Sequence, residues 1–275
     1  MKRTTRVVTA IALLGTFACG CGLLLPRRED IPSDEAETRG RALVMRAVRA
    51  HGDQAAWDHL GDVTFTARYA QAPPADLAEV EPSQTKREIR FTFDFGRGRG
   101  RMDFADAHRS AWVRNGDDVF FVEDGKRSVR SPGPDSMRVP VEAQLFAAPF
   151  LMLAPGIHLA YAGIKPFAGR DLETVLAEPE GSAIGMHRRA LGYFDPRSGE
   201  LLHVAFDVGQ GDVGLAGSAT FLEWQTVGAL RLPKRLHVRT SRPAQVHDYD
   251  LTFTDVNLAP EVDPAVYRAP PGGPP

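Results

Sequence analysis

Cysteine is the first reactive group to place. The 275-residue chain has two, Cys19 and Cys21, both at its head. The body that follows has no thiol for a disulfide, a nucleophile or a Cys/His metal site. Eight histidines are scattered along it: His51, His59, His108, His158, His187, His203, His237 and His247. None falls in an H-E-x-x-H pair. His51 and His59 flank Trp57 with Asp53 and Asp58 nearby, a pattern that helix capping and surface solvation explain better than a metal. Ser182 lies in EGSAIG, which is not G-x-S-x-G and lacks the strand-turn-helix setting of a nucleophile elbow. GRGRGR (96–101) is neither a P-loop nor a dinucleotide fingerprint, because Lys-Ser/Thr is missing and no helix follows. Its glycines fit a sheet bend or hairpin. Its arginines either meet an anionic headgroup or partner, or lie solvated. Acidic residues are abundant, yet no pair can be seen to converge. The chemistry read from these residues is that of a non-enzyme, with no metal and no cofactor.

Residues 1–20 read as an export leader, with MKRTTR as a positive n-region and VVTAIALLGTFA as an apolar core. Ala18 precedes Cys19 and Gly20 precedes Cys21. This resembles the lipobox of bacterial lipoproteins, in which the leader is cut and the cysteine is acylated. Two or more acyl chains hold a protein stably at a membrane. The Ala18-x-Gly20-Cys21 spacing favours Cys21 for lipid attachment, with Cys19 as the alternative. An uncleaved anchor helix is the competing reading, since Val7 to Leu25 is just long enough to span; the cysteine pair favours the lipoprotein. Glycine, not aspartate, follows either cysteine. Where bacteria sort by that position, the implied site is the outer membrane, facing the periplasm.

The elements behind these residues follow from periodicity. Residues 21–33 form a polar tether. A helix starts at Asp34, with Glu37 three residues on in a capping-box variant, and Leu43, Val44, Ala47, Val48 and His51 fall on one face. His51-Gly52 ends it, and a short turn, Gln54 to Leu60, carries Trp57. Asp62 to Ala70 alternates strictly, with Val63, Phe65, Ala67 and Tyr69 on one side. Lys86 to Phe95 does the same with Ile89, Phe91, Phe93 and Phe95. Short strands follow at 102–105, 110–114, 117–123 and 127–131, with Asn115-Gly116 and Asp124-Gly125 as hairpin turns. The most apolar run outside the leader is Val141 to Gly163. It reads as a short helix that breaks at Ala148-Pro149 and turns at Ala154-Pro155-Gly156. Further strands read at 158–163, 172–177, 186–194, 201–208, 218–226, 235–240 and 245–257, with a Gly-rich bend over 209–217. Residues 271–275 read as a frayed tail.

Hydrophobic content of 43% and charged content of 25% are ordinary for a globular chain. Lys2, Arg3 and Arg6 sit in the leader, so the remainder carries 30 basic against 35 acidic residues, a formal −5. That mild acidity argues against a nucleic-acid binder, which needs a basic face.

Several stretches together resemble the outer-membrane lipoprotein-sorting, LolA/LolB-like family. AVRAHGDQAAWDHLGDVTFTARY is similar to its opening helix, Trp-bearing turn and first strand. APFLMLAPGIHLAYAG is similar to its central helix, and TDVNLAPEVDPAVYRAP to its close. The resemblance covers residues 34–270. It implies a mainly β, α+β fold: a curved antiparallel open β-barrel, or half-barrel, covered by the N-terminal helix and a central lid helix. It also implies an apolar cavity that receives acyl chains. The lining then expected is Phe65, Ile89, Phe91 and Phe93 from the strands, capped by Leu145, Phe146, Phe150 and Leu151. The expected partners are a lipid or an acylated protein, the membrane through the anchor, and no nucleic acid, with the chain a monomer. A filled aromatic core with no ligand is the other reading of the same residues, making the chain a structural or partner-binding envelope lipoprotein.

Overall fold

The computed structural model describes residues 25–26, 30–31, 34–70, 86–105, 109–116, 118–128, 138–180, 189–210, 213–242 and 245–270. Two helices, α1 (Asp34–Ala50) and α2 (Gln54–Asp58), come first. Strands β1 (Asp62–Ala70), β2 (Lys86–Asp94), β3 (Arg99–Phe104), β4 (Ala111–Asn115), β5 (Asp118–Glu123) and β6 (Lys126–Arg127) follow. Helix α3 (Arg138–Ala147) and a 3-10 helix (Phe150–Leu153) interrupt the strands. The chain resumes with β7 (Ile157–Phe167), β8 (Arg170–Pro179), β9 (Arg189–Phe194), β10 (Leu201–Gln210), β11 (Val213–Val227), β12 (Leu230–Arg242) and β13 (Gln245–Asn257). A second 3-10 helix, Pro264–Tyr267, closes the described chain.

All thirteen strands form one sheet, in the order β6-β5-β4-β3-β2-β1-β13-β12-β11-β10-β9-β8-β7. Every neighbouring pair is antiparallel. The two edges, β6 and β7, never meet, so the sheet is open. They are also consecutive in sequence. The segment between them must therefore travel from one edge to the other, and α3 lies on that route. Helix α3 touches both β3 and β12, four strand steps apart. On a flat sheet those strands lie about 19 Å apart, against a helix about 10 Å across. The sheet must curl around α3, which makes it a half-barrel with the helix on the concave side.

Burial follows the alternation read from the sequence. On β1, Val63, Phe65, Ala67 and Tyr69 are buried, and they join Ile89, Phe91 and Phe93 of β2 in one core. Helix α1 contributes Leu43, Val44, Ala47 and Val48 to that core and packs on β7 and β8. Among the described residues no helix is long and apolar enough to cross a membrane.

Two readings of the sequence shift. The Gly-rich bend expected over 209–217 belongs instead largely to β10 and β11, which pair through Val208–Leu215, Gly209–Gly214 and Gln210–Val213. Gly217 is in the ladder because a Cβ there would lie 2.6 Å from the Phe206 ring; the glycine makes room for the aromatic. The strand expected from Arg235 begins at Leu230 and carries Pro233 inside it. The pairing of β11 with β12 shifts register around Glu223, next to Pro233, which accommodates the missing donor.

Candidate functional site: an apolar cavity under the crossover

The crossover is pinned at two points. Phe146 stacks on Phe65 at 4.0 Å and meets Phe253 edge-on at 5.3 Å, while Phe65 stacks on Phe91 at 5.0 Å. Phe150 stacks on Trp57 of α2 at 4.8 Å. Between and beside these pins the chain presents Leu145, Ala148, Leu151 and Met152 to the second half of the sheet. There the facing residues are small: Ala177 on β8, Ala190 on β9 and Val204 on β10. These small sheet residues, with Ala148 above, leave a cavity of about 150 Å³, bounded further by Ile157, Pro179 and Phe206. It lies toward the rim of the half-barrel where β7 and β9 begin and β8 ends.

The lining is almost entirely hydrocarbon. Gln144, on α3, is the polar side chain at its wall. Its Oε1 is buried and, among the described residues, accepts no hydrogen bond. A buried amide oxygen without a donor costs free energy on the order of 1–3 kcal/mol. Farther along the same rim, the Tyr69 hydroxyl donates to Glu142 Oε1 at 3.1 Å.

The eight residues expected to line a ligand site divide in two. Leu145 and Leu151 line the cavity. Phe65, Phe91 and Phe146 form the aromatic stack, Phe150 stands on Trp57, and Ile89 and Phe93 lie in the same packed core. Cys19 and Cys21 lie outside the described residues. The lining residues that sequence reasoning missed are chiefly Ala177, Ala190 and Val204. A cavity is made by what a side chain lacks, and alanine inside an apolar strand was the signal that could have marked it.

The titratable groups have structural uses. His51 is fully buried against Trp224, with ring centroids 4.0 Å apart. Its Nε2 accepts from the Leu201 N–H at 3.4 Å, and Nδ1 donates to the Arg231 carbonyl at 3.3 Å. Burial lowers its pKa to about 4. His203 pairs with Thr220 Oγ1 at 2.9 Å, and burial lowers its pKa to about 4 as well. His237 lies on the outer face between Asp248 and Asp250, at 2.7 and 2.8 Å. Among the described residues no group of three or more His, Cys, Asp or Glu is placed to hold a metal.

The GRGRGR run is explained by the buried Asp94. That carboxylate accepts from the Arg97 N–H at 3.0 Å and from Arg99 Nη2 at 2.6 Å. Arg99 also lies over the Tyr267 ring, 4.7 Å from its centroid, and Arg101 donates to the Val266 carbonyl at 3.2 Å. Tyr267 in turn donates to Asp62 Oδ1 at 2.6 Å, and burial beside this carboxylate raises its pKa. Two of the three arginines thus clamp the Pro264–Tyr267 3-10 helix onto the sheet, while the largely exposed Arg97 pairs with Asp94 at 3.4 Å across the turn.

No protein-family model matches the sequence, and no curated protein does. Solved structures do match. A LolA superfamily protein from Nitrosomonas europaea superposes with a TM-score of 0.52 at 10% identity, over 83% of this chain and 97% of that one. A DUF1329 family protein from Desulfovibrio piger superposes with a TM-score of 0.50 at 12% identity, again over 83% and 97%. At such identities the shared property is the backbone path: an open, curved antiparallel sheet with helices on its concave side, as built above. This chain has the LolA-like fold.

Proposed function

We propose that this chain is a bacterial envelope lipoprotein that binds an apolar ligand under its crossover helix. Acylation of Cys21, with Cys19 as the alternative, anchors it to the outer membrane facing the periplasm. The ligand is a lipid or the acyl chain of a lipidated protein, and the role is in lipid or lipoprotein trafficking. The observation that carries the reading is the hydrocarbon-lined cavity of about 150 Å³ between Leu145, Leu151 and Met152 above and Ala177, Ala190 and Val204 below. Apolar cavities of this size take up small apolar molecules. Roughly six methylene groups would gain about 5 kcal/mol at about 0.8 kcal/mol each, which corresponds to a dissociation constant of about a millimolar or somewhat below. The aromatic stack of Phe65, Phe91, Phe146 and Phe253 fills the remaining concave face and serves as the frame that holds the crossover over the cavity.

Uptake of a fluorescent fatty acid, together with native mass spectrometry for co-purifying lipid, tests this. The parent protein takes up the probe. Ala190→Phe, which fills the cavity from its floor, lowers that uptake at least tenfold while the melting temperature is unchanged or raised. A parent with a clean unliganded mass and no uptake would leave the filled core as the correct reading.

A further inference from the structure

Leu25, Pro26 and Ile31, ahead of α1, are part of the folded body. Leu25 is 6% exposed and packs in a small core with Leu176, Leu191 and Ala205, joined by Ile31, Ala162 and Tyr193. This core lies on the convex face. Leu176 sits between Val175 and Ala177, which face inward, and Leu191 and Ala205 alternate in the same way with cavity residues Ala190, Val204 and Phe206. Arg189, the first residue of β9, fastens the strap. Its Nη1 donates to the Leu25 carbonyl at 2.9 Å and the Pro26 carbonyl at 3.4 Å, and its Nη2 pairs with Asp207 at 3.2 Å. Elsewhere the convex face carries ion pairs, such as Arg68–Glu88 on β1 and β2 and Arg235–Glu223 on β12 and β11.

From these contacts we infer that the strap orients the protein on the membrane, with the convex face of β8, β9 and β10 against the lipid bilayer. The inference rests on the anchor at Cys21. Leu25 is four residue steps from Cys21, and a fully extended chain covers at most about 14 Å over that length. The acylated end is therefore held within that radius of the Leu25 seat. Strand β2 is six steps from β9 in the sheet order, about 29 Å away along the sheet at roughly 4.8 Å per step, and the curvature turns it away. Arg189 marks the rim where the cavity lies, since Ala190 is its neighbour and lines that cavity. The strap thus brings the cavity rim beside the bilayer surface, within reach of a lipid leaving it, and points the β2–β6 half toward the aqueous space.

The body contains no cysteine beyond the leader region, so single reporters can be placed cleanly. The acylated full chain is reconstituted in phosphatidylethanolamine/phosphatidylglycerol vesicles carrying a headgroup quencher. A fluorophore is placed at Glu178→Cys, on β8 two residues from Leu176, or at Glu88→Cys on β2. The expected result is at least threefold stronger quenching at position 178 than at 88. Inserting a flexible Gly-Ser segment of about twenty residues after Gly22, with an r.m.s. span of roughly 25 Å, leaves the strap docked and abolishes that contrast. Equal quenching at the two positions in the vesicle-bound parent overturns the orientation. A contrast that survives the insertion overturns the strap as its cause. The parent floats with the vesicles and Cys21→Ser does not; if the parent fails to float, the anchor falls and the orientation with it.

Discussion

His51 shows how one residue type can serve structure where its neighbours hint at chemistry. Its ring closes the end of α1 onto β10 and β12, donating to Arg231 and accepting from Leu201. Only the neutral imidazole can do both, since the cation has no acceptor. Burial lowers its pKa to about 4 from an ordinary 6.5. The unfolded chain therefore binds a proton below about pH 6.5 that the folded chain refuses until about pH 4. Stability from this group is fully present above pH 6.5 and is lost as pH falls toward 4, at about 1.4 kcal/mol per pH unit. Between pH 7 and pH 5 the loss is about 2 kcal/mol, and His203, buried beside Thr220, adds a loss of the same sign. Urea melts at the two pH values measure it. His51→Gln keeps a donor and an acceptor and reduces the pH difference by about 2 kcal/mol; an unaltered difference would show that His51 is protonated in the folded state.

At the scale of elements, α1 is seated by one small residue. A Cβ at Gly40 would lie 2.9 Å from the Tyr161 backbone nitrogen and 3.1 Å from the Ala160 carbonyl carbon. The contact is with backbone, which cannot swing aside. In an isolated helix Gly→Ala gains about 1 kcal/mol. Here Gly40→Ala pushes α1 off β7 and lowers stability by about 1–3 kcal/mol, the range for overpacking. Chemical denaturation gives the sign directly, and a stabilised variant would mean that α1 does not rest on β7. Arg39 and Arg46 pair with Glu173 on β8 at 3.2 and 2.8 Å, on the same side of the sheet. Being largely exposed, they add register more than energy. The crossover is a second case of element-scale control. Phe146 and Phe150 are locked by ring stacking, while Leu145, Ala148 and Leu151 between and beyond them face a gap.

For the whole molecule, the volume of the cavity limits how much of a ligand it holds without movement. About 150 Å³ takes a group of benzene size, so a long acyl chain is buried whole only if α3 and the Phe150–Leu153 turn move off the sheet. Hydrogen exchange across residues 138–156 reads this. Hexanol leaves protection there unchanged, and palmitate raises exchange in that segment while the β1, β2 and β13 amides stay protected. Palmitate uptake with no change across 138–156 would place the chain elsewhere. Much of this architecture was legible in the sequence. Strict alternation located β1 and β2 almost to the residue, because one face of each strand is buried. The Asn-Gly and Asp-Gly turns marked the meander, and the prolines marked the breaks around the crossover. The strand limits around Gly209–Gly217 and Pro233 were not legible, because register shifts and a ring packed on Gly217 override local preference. The apolar lid residues Leu145 and Leu151 were legible in the sequence, yet the cavity floor was not. Local pattern determines which residues face inward, since it depends only on the pleat of one strand. Which inward residues meet a partner and which meet empty space depends on how β8, β9 and β10 curve beneath α3, and only the tertiary structure decides that.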